Sequence, residues 1–184
     1  MEENDPIQQL RAGDQRAFDS VFRRYRPRVY SFLLRLTGRP ALAEDLLQET
    51  FLRLSRKAGE LSPDTRLGAW LFTVARNLVF DERRRVLLSL DRISRWREWR
   101  ALDNRADTPA EITAGNETAR RLQAALADLP LMWREILLLC GGEGFEPAEA
   151  ARILGIADEA ARKRLSRARE ALRRALAAQE GATE

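Results

Sequence analysis

The chain has 184 residues, of which 45% are hydrophobic and 33% charged, and its formal net charge is +4. This length holds one medium-sized domain or two small ones, and few alternating β-branched runs occur, which predicts a nearly all-helical fold. The sequence contains no histidine and one cysteine, Cys140. It therefore excludes an internal disulfide, Cys/His metal sites and Ser-His or Cys-His nucleophile pairs, and it favours a binding function over an enzyme.

No apolar stretch reaches the roughly 18 residues that a membrane-spanning helix needs. The N-terminus is acidic and polar, unlike a secretory signal peptide. We therefore expect a soluble, cytoplasmic protein. Cys140 follows the apolar run EILLL, which favours a buried, inert thiol; the alternative is a redox sensor.

The first zone, about residues 5–90, is predicted to be a series of amphipathic helices. Between Ala17 and Thr37 the apolar residues recur at helical spacing, and Pro27 either starts a new helical segment or kinks this one. The sequence Gly-Arg-Pro at residues 38–40 predicts a turn. A further helix is expected from about Ala41 to Lys57.

The stretch AEDLLQETFLRL within this helix divides into two faces when wound at 100° per residue. The face expected to join the core contains Leu46, Leu47, Thr50, Phe51 and Leu54. The opposite face contains Glu44, Asp45, Gln48, Glu49 and Leu52. Phosphates would repel this acidic face, so the pattern favours a protein interface with a basic partner.

The next predicted helix, about Leu67 to Arg85, mixes aromatic side chains, an amide and arginines in the sequence LGAWLFTVARNLVFDERRR. Such a mixture suits melted or single-stranded DNA, because exposed bases stack on aromatic rings and cations follow the backbone. Core packing is the favoured role for Trp70, whereas nucleic-acid binding is favoured for Asn77 and the arginine run.

Residues 91–116 are predicted to be a flexible linker, because they contain turn-forming residues and no sustained apolar period. Trp96 and Trp99 stand out there among arginines. They are interpreted equally well as anchors on a partner or as side chains that pack back on their own domain.

The third zone, about residues 117–178, is predicted to contain four helical segments. A short helix with Gly155 at its C-terminal end precedes a long basic helix, which is typical of a helix-turn-helix. Residues 162–174 hold 7 basic side chains against 1 acidic one. Leu165, Ala168, Leu172, Ala175 and Leu176 are expected to pack inward. Arg162, Lys163, Arg164, Ser166, Arg167 and Arg173 are expected to remain for solvent or phosphate.

The motifs together resemble the extracytoplasmic-function (ECF) sigma factors of bacterial RNA polymerase, over about residues 17–86 and 120–174. AEDLLQETFLRL resembles the polymerase-binding helix of that family, and WLFTVARNLVFDERRR resembles its −10-reading helix. LADLPLMWREILLL and EAARILGI…RLSRAREALR are similar to the C-terminal promoter-binding domain. In combination these motifs are specific.

The resemblance implies an all-α protein with region 2 in residues 1–90, a linker in 91–116 and region 4 in 117–184. It implies polymerase binding by Glu44, Asp45, Gln48, Glu49 and Leu52. It implies −10 recognition by Arg66, Trp70, Arg76, Asn77, Arg83, Arg84 and Arg85. It implies −35 recognition by Glu159, Arg162, Lys163, Arg164, Ser166 and Arg167.

The partners implied are the coiled coil of the largest polymerase subunit, the polymerase flap, promoter DNA and a cognate anti-sigma factor that controls a stress or envelope response. Neither a cofactor nor a small-molecule substrate nor enzymatic activity is implied. Two other functions are compatible with the pattern: a helix-turn-helix repressor or activator that acts without polymerase, and an adaptor that uses the acidic helix and never contacts DNA.

The recognition helix departs from the family pattern, which commonly opens with a serine cap followed by Gly-Thr-Val-Lys-Ser-Arg. Asp158 is expected to replace the serine cap. Glu159 is expected to change the base and phosphate contacts. Glu146-Pro147 replaces the usual Ser-Tyr, and proline is tolerated at a first helical position.

Overall fold

The computed structural model describes residues 6–88 and 117–181, and every regular element in these ranges is helical. This confirms the predicted all-α class. The linker, 91–116, with Trp96 and Trp99, lies outside the described residues, so the predictions made for it stay predictions.

The N-terminal unit consists of four α-helices and a short 3₁₀ turn. They are α1 (Pro6–Arg11), α2 (Gln15–Thr37), α3 (Pro40–Lys57), the 3₁₀ turn Ala58–Glu60, and α4 (Leu67–Leu88). Helices α2, α3 and α4 pack on one another around a core that includes Phe32, Leu54 and Phe72. This unit positions the predicted polymerase-binding and −10-reading helices side by side.

Helix α2 continues through Pro27, which is exposed, so no new segment begins there. Asp14 accepts a hydrogen bond from the backbone N–H of Arg16 at 2.8 Å and caps the helix. At the other end Gly38 has φ +65° and its N–H donates to the Leu34 carbonyl at 2.8 Å. A left-handed residue in this position ends the helix and forms the predicted turn.

The C-terminal unit contains four α-helices, as predicted. They are α5 (Glu117–Ala127), α6 (Leu131–Leu137), which continues as a π-helical turn over Leu138–Gly142, α7 (Pro147–Leu154) and α8 (Asp158–Gly181). Gly155 has φ +67°, which confirms the left-handed residue predicted between α7 and α8. Helices α7 and α8 are the two helices of the predicted helix-turn-helix.

The start of α7 agrees with the prediction from the sequence, whereas the start of α8 corrects it. Pro147 occupies the first turn of α7, where Glu146 and Glu149 form a reciprocal capping box. In α8 the first helical hydrogen bond joins the Ala161 N–H to the Ala157 carbonyl, so Asp158 is the first helical residue and not the predicted cap. A carboxylate in the first turn still interacts favourably with the helix dipole.

The two units pack against each other, which the sequence did not predict. Helix α4 contacts α7, and the Phe72 ring lies edge-on to both Phe32 and Phe145, with centroids 5.2 and 5.3 Å away. Phe145 belongs to the C-terminal unit, so the buried side chains form one continuous cluster. The consequence for the functional surfaces is described below.

Candidate protein and nucleic-acid interfaces

Helix α3 separates an apolar face from an acidic one as the sequence predicts. Its buried residues include Leu46, Leu47, Thr50, Phe51 and Leu54. The Thr50 hydroxyl donates to the Leu46 carbonyl at 2.7 Å, which satisfies the buried oxygen. Phe51 packs edge-on against Phe22, with ring centroids 4.8 Å apart. These contacts fix the orientation of α3 and leave its other face outside.

We call the outer surface formed by Glu44, Asp45, Gln48, Glu49 and Leu52 the α3 face. Asp45 and Gln48 are exposed, and Leu52 is 49% exposed at the centre of the group. Two acids at the edges pair with arginines, Glu44 with Arg26 at 3.6 Å and Glu49 with Arg53 at 2.9 Å. An exposed leucine framed by polar acceptors is typical of a docking surface for a protein.

The predicted −10 residues on and before α4 fall into two environments. Asn77, Arg84 and Arg85 are exposed, whereas Trp70 is half-buried and packs against the core, as its favoured interpretation predicted. Arg83 is half-buried, and Arg85 pairs with Glu82. The exposed part therefore presents an amide and two guanidinium groups.

Arg76, which is half-buried, and Arg66, which is exposed just before α4, both contact the C-terminal unit. The Arg76 guanidinium lies 4.0 Å from the Phe80 ring centroid, and its Nε donates to Glu135 Oε2 at 3.1 Å. Arg66 forms an ion pair with Glu149 of α7. Two of the predicted −10 residues are thus already engaged by carboxylates.

On α8, Glu159, Arg162, Lys163, Ser166 and Arg167 are exposed, and Lys163 pairs with Glu159 at 2.7 Å. Arg164 is the exception and corrects the expectation that it remains for solvent or phosphate. Its side chain is 20% exposed, and its Nη1 donates to Glu135 Oε1 at 3.2 Å. Leu165 and Ala168 are buried as predicted, while Leu172, Ala175 and Leu176 are half-buried.

Sequence reasoning missed Glu135, whose carboxylate connects Arg76 of α4 with Arg164 of α8. Glu135 is 1% exposed. Burial raises the pKa of its carboxyl group, and the charges of Arg76, Arg164 and Arg83 oppose that rise. Glu135 Oε2 accepts a hydrogen bond from Arg76 and Oε1 accepts one from Arg164, so both carboxylate oxygens have a partner.

The neighbouring Arg134 is also buried and was also missed. Its Nη2 donates to the carbonyls of Ala127 and Leu129 at 2.6 and 3.0 Å, at the end of α5. Its Nη1 reaches the Arg35 carbonyl of α2 at 3.4 Å. The sequence signal that could have identified both residues is the Arg-Glu pair inside the apolar run LMWREILLL, because an apolar run of this kind leaves little room for exposed positions.

Cys140 lies in the π-helical turn and is half-buried. Burial raises the pKa of its thiol, and the nearby Arg169 opposes that effect. A raised pKa disfavours the thiolate, which is the reactive form. This environment supports the inert interpretation of the cysteine.

The fold and these surfaces are typical of a class, the helical DNA-binding proteins: the chain has a helix-turn-helix, a helix α4 with exposed arginines and a separate exposed acidic face on α3. Residues 21–86 match the family model of Sigma-70 region 2, and residues 119–172 match that of Sigma-70, region 4. Within the two described ranges, no helix is long and apolar enough to cross a membrane.

Similar proteins give the same family. The chain is 36% identical over 175 residues to RNA polymerase sigma factor CarQ of Myxococcus xanthus, which covers 92% of this chain and 95% of the relative. It is 34% identical over 166 residues to ECF RNA polymerase sigma factor SigM of Mycobacterium tuberculosis, covering 90% and 80%. The sigma factor RpoE of Bartonella quintana, solved in complex with the anti-sigma factor NepR, superposes with a TM-score of 0.68 at 27% identity, covering 86% and 96%.

The chain belongs to the ECF sigma factors of the sigma-70 family. It is therefore a transcription initiation factor that binds RNA polymerase and directs it to promoter DNA.

Proposed function

We propose that the protein divides this work among three surfaces on three helices. The α3 face binds the coiled coil of the largest polymerase subunit, α4 captures the opened −10 element, and α8 reads the −35 element in the major groove. The N-terminal unit, residues 1–90, then acts as region 2 and the C-terminal unit, residues 117–184, as region 4.

The observation that carries the proposal is the exposed Leu52 at the centre of an acidic face on a basic protein. When a partner covers a solvent-exposed leucine, the complex is stabilised by about 25 cal/mol for each Å² of apolar surface buried. Asp45 and Gln48 beside it select a partner that carries cations and hydrogen-bond donors. A stand-alone DNA binder has no need of such a face.

The −10 assignment is supported by the exposed groups of α4. Asn77 offers an amide that can pair with the edge of an unstacked base, while Arg84 and Arg85 are exposed for phosphates. The −35 assignment is supported by the first turns of α8, where Arg162, Lys163 and Ser166 are exposed. A recognition helix directs its N-terminal turns at base edges in the major groove.

The protein acts in the cytoplasm by binding alone, without a cofactor, a small-molecule substrate or a catalytic reaction of its own. The protein also binds an anti-sigma factor; this part is supported by the similar RpoE of Bartonella quintana, which was solved in complex with one. Sequestration by such a partner would connect this protein to a stress or envelope signal.

The test is transcription in vitro with core polymerase purified from the source bacterium and fragmented genomic DNA from the same bacterium. Transcript 5′ ends that depend on added protein should share two upstream sequence elements near −35 and −10. Protein and core enzyme should also co-elute from a sizing column.

The second candidate, a repressor or activator that acts without polymerase, gives a different result in the same assays. It would bind duplex DNA with high specificity by itself and would elute apart from core enzyme. That combination would exclude the proposed function, whereas co-elution with promoter-specific transcripts would exclude the repressor.

A further inference from the structure

Some basic side chains of helix α8 are neutralised by acids of the same helix. Lys163 pairs with Glu159 at 2.7 Å, and Arg174 pairs with Glu170 at 3.7 Å. In both pairs the partners are four residues apart, so they lie one above the other on the helix surface. The two charges of each pair compensate each other, and these cations add little to the local positive potential.

A second row of side chains on α8 is not compensated in this way. Its members are Arg162, Ser166, Arg169 and Arg173, which follow one another at spacings of four, three and four residues and therefore share one side of the helix. All four are exposed. Within residues 6–88 and 117–181, none of the three arginines forms an ion pair. At 1.5 Å per residue the row is a positive strip roughly 16 Å long.

The row lines an open groove between α8 and the start of α7. The groove has a volume of about 310 Å³ and is lined by Pro147, Arg162, Leu165, Ser166, Arg169 and Arg173. None of these lining residues is acidic. A guanidinium group donates in parallel to two oxygens of a phosphate, and a serine hydroxyl supplies one more donor. The donor set of the groove therefore suits a phosphate group.

The start of α7 contributes little to binding an anion in this groove. Pro147 has no N–H to donate, and the Glu146 carboxylate already accepts the N–H of Glu149 in the capping box. Glu146 also brings a negative charge to the edge of the groove, where it forms no ion pair with a described residue. The helix N-terminus is thus occupied by its own acid, and the arginines of α8 remain as the donors for an anion.

The length of α8 determines where this row would meet DNA. The helix has 24 residues and is about 36 Å long, whereas the major groove is about 12 Å wide. A recognition helix inserts its N-terminal turns. Roughly the first eight residues, 158–165, fill the width of the major groove, and the following turns cross its rim, where the phosphates lie. Arg169 and Arg173 belong to these following turns.

We propose that Arg169 and Arg173 hold phosphate groups of the DNA backbone at the rim of the major groove, next to the residues assigned to the −35 element. They position α8 on the duplex and do not read its sequence, since the phosphate is the same at every base pair. The proposal rests on the proposed function for the orientation of α8 on DNA. Neither arginine is among the residues that the family resemblance assigns to −35 recognition.

The first measurement is the affinity of the full-length protein for a mixed-sequence duplex at several salt concentrations. Each phosphate contact contributes about 0.9 to the logarithmic salt slope, so Arg169→Ala with Arg173→Ala should make the slope shallower by about two. The affinity at low salt should fall at least about tenfold. Arg169→Lys with Arg173→Lys keeps both charges and should restore most of the slope.

The matched control is Arg23→Ala with Arg174→Ala, which removes two charges from exposed positions outside the row. Its salt slope should stay close to that of the parent. All four arginines are exposed, so circular dichroism and thermal unfolding should show the same folded state in every variant. An equal loss of slope in the control would show that only total charge matters and would overturn the proposal.

A second measurement locates the contacts on DNA. Single phosphates of a duplex that binds α8 are replaced by neutral methylphosphonates, one position at a time. Neutralising a phosphate that Arg169 or Arg173 holds should weaken binding by the parent and should have no further effect on the protein with both alanines. Equal effects at every position in both proteins would overturn the proposal.

A free phosphate ion is a second source of the same chemistry. Inorganic phosphate is titrated at constant ionic strength while the backbone amide signal of Ser166 is followed by nuclear magnetic resonance. We expect no saturation below about 10 mM, because a single ion gains nothing from the neighbouring phosphates of a strand. Saturation below 1 mM, together with an unchanged DNA salt slope in the protein with both alanines, would assign the groove to a free anion and overturn the contact with DNA.

The outcomes distinguish this proposal from the proposed function. Promoter-specific transcripts with a shared −35 element, together with an unchanged salt slope in the protein with both alanines, would overturn the phosphate contacts and leave the proposed function standing. A shallower slope without any shared −35 element would support the phosphate contacts and contradict −35 reading by α8. A changed preference among duplex sequences in the protein with both alanines would show that these arginines read bases, and would overturn their assignment to the backbone.

Discussion

Helices α3 and α4 are neighbours in one unit, yet their functional surfaces differ in availability. The α3 face presents Leu52 at 49% exposure, with Asp45 exposed beside it. On α4 the Arg76 side chain is only 20% exposed, because Glu135 of the other unit contacts it. The proposed polymerase surface is thus open to solvent in this structure, whereas part of the proposed promoter surface is covered by the C-terminal unit.

Charge reversal on the α3 face should have the largest effect on this comparison. We expect Asp45→Arg with Gln48→Ala to weaken binding to core polymerase about 100-fold, since the arginine would repel a basic partner and one hydrogen-bonding group is lost. The measurement is competition with a labelled sigma factor for core enzyme. Both positions are exposed, so the free energy of unfolding should stay within about 0.5 kcal/mol of the value for the parent.

The matched control for that protein is Asp64→Arg, an exposed acid of the same unit that lies outside the α3 face. It raises the net charge by the same amount and should compete for core enzyme as the parent does. If the Asp45→Arg and Gln48→Ala protein also competes for core enzyme as the parent does, α3 is not the polymerase-binding surface.

A smaller effect is expected from Arg162→Ala, which tests the promoter side. Loss of one exposed guanidinium should weaken binding to a promoter fragment by about 1–3 kcal/mol if it contacts a base, and should reduce the logarithmic salt slope by about 1 if it contacts phosphate. Binding to core polymerase should not change. The control is Arg174→Ala, since Arg174 is exposed farther along α8 and pairs with Glu170.

Equal loss of DNA binding in Arg162→Ala and Arg174→Ala would mean that α8 attracts DNA by its total charge and does not read it. A loss of polymerase binding in Arg162→Ala would indicate that the two surfaces are not independent. The first result would contradict sequence reading by α8, and the second would contradict the separation of the proposed polymerase and promoter surfaces.

What the sequence predicts well is set by local rules. The two faces of α3 follow from helical periodicity, and Gly155 follows from the need for a left-handed residue after α7. The continuity of α2 through Pro27 was not decided by the sequence, because proline in an exposed position either begins a helix or lies within one at a local cost.

What the sequence does not predict is set by distant partners. Glu135 pairs with Arg76 across 59 positions of the chain and with Arg164 across 29. Arg134 reaches the carbonyl of Arg35 across 99 positions. No periodicity within one helix contains these pairings, so Arg164 was assigned to solvent or phosphate and the contact between the units was not foreseen. The roles of the individual site residues remain predictions.

The smallest effect should come from Leu52→Ala, which sharpens the interpretation of the α3 face. About half of the leucine side chain is already in water, so removing it should change the free energy of unfolding little. If a polymerase pocket covers it, core binding should fall about three- to tenfold through lost apolar burial. Leu122→Ala, at a leucine that is 37% exposed in the other unit, is the control and should bind core as the parent does. Unchanged core binding by Leu52→Ala, together with a loss in the Asp45→Arg and Gln48→Ala protein, would assign recognition on α3 to charge and hydrogen bonding and remove the leucine from the interface.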